Sequence, residues 1–163
     1  MSKDDALIAE MLLRLKAKAS KGAPWTDDEQ AAVELSIGKE GEIGVLTACC
    51  ILVSRSDNLH NKALDIIRRE IELKNSSPYV ELSIYEALTC VDMKKLAAFR
   101  AAILSFSKWS LLRRAINLDN TIFLLGRLAR TGESGALDLL RSLAADNDTE
   151  IKSNASFVLH GLK

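Results

Sequence analysis

A chain of 163 residues, 48% hydrophobic and 27% charged, can bury a core without disulfides or metal ions. Its 22 basic and 22 acidic residues cancel to zero formal charge, so bulk charge favours neither a nucleic acid nor a membrane surface as partner. The acidic start lacks a signal-peptide h-region, and no stretch reaches the roughly 18 apolar residues of a membrane span.

The first element, Asp4 to Ser20, carries Leu7, Ile8, Met11, Leu12 and Leu15 on one face of a period-3.6 helix. Gly22 and Pro24 end it. Thr26 caps a second helix, with Asp27, Asp28 and Glu29 in the first turn and capping-box spacing between Thr26 and Glu29. Its expected inner face is Ala31, Ala32, Leu35 and Ile37. Glu42 to Ser54 is almost wholly apolar. With no second strand-like run to pair it, a helix buried on most sides is expected.

Asp57 should cap a helix reaching about Lys74, and Ser77 with Pro78 opens another that runs to Val91. Lys94 to Phe106 reads as one helix, with a break near Ser107 and a helical stretch from Trp109 to Ile116. A bend over Asn117 to Asn120 precedes a helix from Thr121 to Arg130. Gly135 to Ala145 forms the next, and Asp148 caps the last, which ends at Gly161.

Ala63-Leu64-Asp65-Ile66-Ile67-Arg68 and Ala136-Leu137-Asp138-Leu139-Leu140-Arg141 share one pattern, 73 positions apart by residue number. Each precedes a polar turn and a second helix, in which Val80, Ile84, Ala87 and Leu88 match Ile151, Ala155, Val158 and Leu159. Half of that spacing is about 36 residues, the length of one helical hairpin. One all-α domain of stacked antiparallel hairpins follows, at 26–54, 57–91, 94–130 and 133–162, with an extra N-terminal helix. The last unit resembles the HEAT/armadillo family: Ile151, Ala155, Val158, Leu159 and Leu162 stand where HEAT repeats carry buried residues, after the acidic turn Asp146-Asn147-Asp148. The resemblance implies a curved α-solenoid whose second helices line a concave face and often hold a partner. It implies no chemistry.

No catalytic constellation emerges. Phosphate loop, nucleophile elbow and HExxH patterns are missing from the sequence. His60 and His160 have no ligand at metal spacing and read as surface residues; no metal or cofactor is expected. The cysteines, Cys49, Cys50 and Cys90, are odd in number and fit free thiols in a reducing cytosol, the first two as small core residues.

Charge is uneven. From Asp27 to Glu42 the acids Asp27, Asp28, Glu29, Glu34, Glu40 and Glu42 face a single base, Lys39. Glu81 and Tyr85, at i and i+4, should share an outer face beside Tyr79 and Glu86. Glu42, Tyr79, Glu81, Tyr85 and Glu86 therefore make one candidate surface for a basic protein partner. From Asp92 to Arg130 the bases Lys94, Lys95, Arg100, Lys108, Arg113, Arg114, Arg127 and Arg130 oppose only Asp92 and Asp119. With Trp109 and Phe106 among them, they form a second candidate, a patch for phosphates.

The first surface implies a non-enzymatic protein-binding module. The chain is similar in this to small bacterial immunity proteins, which present acidic surface to a basic nuclease toxin in the cytoplasm. The second surface resembles HEAT-like proteins that hold nucleic acid or repair alkylated DNA. A structural adaptor subunit is the third expectation.

Overall fold

The computed structural model describes residues 2–54, 58–113 and 118–163. Among them the chain is all-α, with ten helices and no strand. No helix there is long and apolar enough to cross a membrane. The expected cap Asp57, the base Arg114 and Asn117 lie outside the described residues, while Leu118 to Asn120, expected to bend the chain before Thr121, already form the first turn of a helix.

Two compact units divide the chain, Met1–Cys90 and Val91–Lys163. The first holds α1 (Lys3–Ser20), α2 (Asp27–Ser36), α3 (Glu42–Val53), α4 (His60–Leu73) and α5 (Pro78–Cys90). The second holds α6 (Met93–Ala98), α7 (Arg100–Leu112), α8 (Leu118–Arg130), α9 (Ser134–Leu143) and α10 (Thr149–His160).

Helix starts follow local chemistry. Thr26 and Glu29 close the predicted capping box: the Glu29 N–H donates to Thr26 Oγ1 at 3.2 Å and the Thr26 N–H to Glu29 Oε2 at 2.8 Å. Asp148 accepts from the Glu150 and Ile151 amides at 2.9 and 3.2 Å. Ser2 and Asp5 form a further capping box at α1.

In the first unit α3 is the hub. Every residue from Ile43 to Leu52 is buried, as its apolar run requires. It packs extensively on α4, α5 and α1, and less on α2. Burying each large side chain such as Ile51 or Leu52 contributes about 1.5–3 kcal/mol. Thr47 is tolerated there because its hydroxyl donates to the Ile43 carbonyl at 2.7 Å.

The second unit repeats the plan around α8, on which α6, α7, α9 and α10 all pack. Positions related by the internal repeat are buried in both units: Ala63 and Ala136, Ile67 and Leu140, Val80 and Ile151, Ile84 and Ala155.

Three expectations are corrected. On α2 the inward residues are Val33, Ser36 and Ile37, while Leu35 is 79% exposed. Ser36 fits inside because its hydroxyl donates to the Ala32 carbonyl at 2.8 Å. The break expected near Ser107 falls instead at Phe99, between α6 and α7, and Ser107 is buried mid-helix. Serines there read as a turn, but on α7 they are small residues on the packed side. Finally, Glu81 and Tyr85 do not share an outer face: they are 1% and 0% exposed. α5 is buried at Val80, Glu81, Ser83, Ile84, Tyr85, Ala87 and Leu88, so its outward strip narrows to the line of Tyr79, Leu82 and Glu86.

Candidate interaction surfaces

The predicted acidic site does not assemble. Tyr79 is 46% exposed and Glu42 exposed at the first turn of α3, but Glu81 and Tyr85 belong to the core. Glu86 is engaged by the Lys16 ammonium of α1.

The predicted basic set is partly spent on its own unit. Arg100 donates to the Thr131 carbonyl at 3.1 Å and lies 3.6 Å from Glu133. Arg127 donates to the Val91 carbonyl. Trp109 is half-buried, with Phe106 stacked at 5.4 Å between centroids and the Arg113 guanidinium 3.9 Å from its ring centre. Lys94, Lys95 and Lys108 remain exposed.

Cys49 and Cys50 are buried in α3, Cys50 donating to the Leu12 carbonyl at 3.7 Å. Burial pushes the Cys49 thiol well above the ordinary range and that of Cys50 up to about 11. Such thiols are poor nucleophiles at neutral pH. His60 is half-buried at the start of α4 and His160 exposed at the end of α10. Among the described residues no group of three or more His, Cys, Asp or Glu side chains could hold a metal ion.

Two surfaces that the hydrophobic pattern hides stand out instead. On α2, Asp27, Asp28, Ala31, Glu34 and Leu35 are all exposed and lie on two adjacent i, i+3/i+4, i+7 lines. Glu34 accepts from Gln30 at 3.0 Å and Asn58 at 3.3 Å, which steadies it. Glu29, beside them, is held by Lys18 and its carboxyl lies below the usual range. An apolar side chain thus projects from an acidic face.

The second surface lies on α8 and α10, which run in the same direction. Asn154 donates to Asp119, Val158 lies against Gly126, and Arg130 donates to the Gly161 carbonyl, so contacts advance together along both helices. The approach is close: a Cβ on Gly126 would stand 2.4 Å from Val158 Cγ1. Phe123, four residues after Asp119, and Phe157, three after Asn154, flank this seam, 54% and 82% exposed. The signal in the sequence was a phenylalanine out of phase with the buried positions of each helix. No protein-family model, curated protein or solved structure matches this chain.

Proposed function

We propose that this chain is a non-enzymatic protein-binding module, a HEAT-like helical-repeat protein acting as a small cytoplasmic inhibitor of the immunity type. It blocks a basic partner, such as a nuclease toxin domain, by charge and shape complementarity. The observation that carries this reading is Leu35, 79% exposed on the α2 face among Asp27, Asp28 and Glu34. An exposed leucine gains free energy when it enters a partner's pocket. Carboxylates around it speed the encounter with a basic surface and disfavour acidic competitors. The same-direction course of α8 and α10 supports the repeat architecture, since stacking of successive hairpins requires it.

The nucleic-acid reading has less behind it. Its stacking residue, Trp109, is already engaged by Phe106 and Arg113, and Arg100 and Arg127 serve their own unit.

The test is affinity capture from the host and from the product of the adjacent gene. Wild type is compared with Leu35→Ala and with Asp27→Lys/Asp28→Lys/Glu34→Lys. A basic protein held by wild type, lost by both variants and associating more slowly as salt rises is the expected result. An identical set of captured proteins from all three would refute the reading.

A further inference from the structure

The seam of α8 and α10 has an order along its length as well as an apolar centre. At the N-terminal end Asp119 and Glu150 are exposed; at the C-terminal end Arg130 and His160 are exposed. Asp148, the cap of α10, adds to the acidic end. Phe123 and Phe157 lie between the two ends. Acid early and base late is what helix dipoles favour on any helix. Two exposed phenylalanines between them are not explained by that, since α8 and α10 bury their cores without these rings.

The first unit shows what such a seam receives. There α1 reaches both related helices: Cys50 of α3 donates to the Leu12 carbonyl, and Lys16 pairs with Glu86 of α5. By the internal repeat, whose second helices are offset by 71 positions in residue number, Phe157 occupies the place of Glu86. A seam met by α1 in the first unit corresponds, among the described residues, to one with exposed aromatic rings in the second.

We propose that the α8/α10 seam is a self-association surface, occupied by the same seam of a second copy of this chain. An isologous contact needs a patch complementary to itself. A two-fold axis crossing both helices at right angles turns one seam end for end over the other. It brings Asp119 opposite the partner subunit's Arg130 and the phenylalanines together at the centre. The alternative two-fold, parallel to the helices, sets like charges face to face and is disfavoured. The acidic α2 face lies on the other unit, so this inference stands or falls apart from the proposed function.

Sedimentation velocity of the full chain over a concentration series tests it. Wild type should pass from monomer to dimer as concentration rises. Phe157→Ala and Phe123→Ala should each raise the dissociation constant about tenfold, with unchanged circular dichroism because both rings are solvent-facing. Arg130→Glu should weaken the dimer by placing acid against acid, and adding Asp119→Arg in the same chain should restore it. A chain that stays monomeric at every concentration overturns the proposal. So does a dimer indifferent to Phe157→Asp, or a charge swap that fails to rescue.

Discussion

Gly126→Ala inverts the usual rule for a glycine inside a helix. In an open helix, alanine is favoured over glycine by about 1 kcal/mol. Gly126 sits in the middle of α8, and the added methyl would lie 2.4 Å from Val158 Cγ1. Carbon atoms at ease stand about 3.5–4.0 Å apart, so more than about 1 Å must be made up. Valine in a helix is held largely to one rotamer, and turning it costs stability, as does prising α10 away. Overpacking of this kind costs about 1–3 kcal/mol. Net of the propensity gain, Gly126→Ala should destabilise by about 1 kcal/mol. In a Val158→Ala background the obstruction is gone, and the same substitution should stabilise by about 1 kcal/mol, a coupling of about 2 kcal/mol. Urea unfolding of the four proteins, with slopes compared to confirm one mode of unfolding, measures the cycle. Additivity within about 0.5 kcal/mol, or a stabilising Gly126→Ala on its own, would refute the close approach of α8 to α10.

The two tyrosines should behave oppositely: Tyr85→Ala costs about 3–5 kcal/mol by chemical denaturation, and Tyr79→Ala less than about 0.5 kcal/mol. Among the three thiols a disulfide reagent should modify the half-buried Cys90 first, with Cys49 and Cys50 reacting only on unfolding; three equally fast thiols would contradict the packing of α3. The pKa of Cys50 is raised on folding, so its contribution is intact below the unfolded-state pKa and is lost as pH climbs towards about 11. The denaturation midpoint should accordingly fall in alkaline solution, and a Cys49→Ala/Cys50→Ala chain should show a shallower fall. Thr26→Ala should cost about 1 kcal/mol by removing one arm of the α2 cap. The carboxyl of Glu29 is lowered on folding, so its share is present above the unfolded carboxylate range and disappears as pH drops through the folded value. Acid unfolding with and without Lys18→Met checks this.

Much of the helix content could be read from the sequence because its cues are local. Thr26, Ser77 and Asp148 each stand beside the amides they cap, and the 73-position echo between Ala63 and Ala136 marks equivalent buried faces. The apolar run from Ile43 announced a helix enclosed on most sides. The candidate site was far less legible, because exposure depends on which neighbours arrive. Tyr85 and Glu81 look like surface residues on a helical wheel, yet α5 is enclosed over all but one strip. Leu35 looks like a core residue, yet the buried line of α2 runs through Val33, Ser36 and Ile37. Ser107 looks like a breaker, yet it lies buried in the middle of α7. In each case the deciding force was tertiary packing, which overrides single-helix patterning.

The enclosure of α3 has a consequence for how the protein is made. The stretch Ala48-Cys49-Cys50-Ile51-Leu52-Val53 is uncharged, free of proline and rich in β-branched and aliphatic side chains, the composition of segments that aggregate when uncovered. It emerges from the ribosome after α1 and α2 but before α4 and α5, so half of its shelter is still unsynthesised. Glu42 and Arg55 bracket it as charged gatekeepers during that interval. The nascent chain is most vulnerable between the completion of α3 and the arrival of α5, and slow translation there prolongs its exposure.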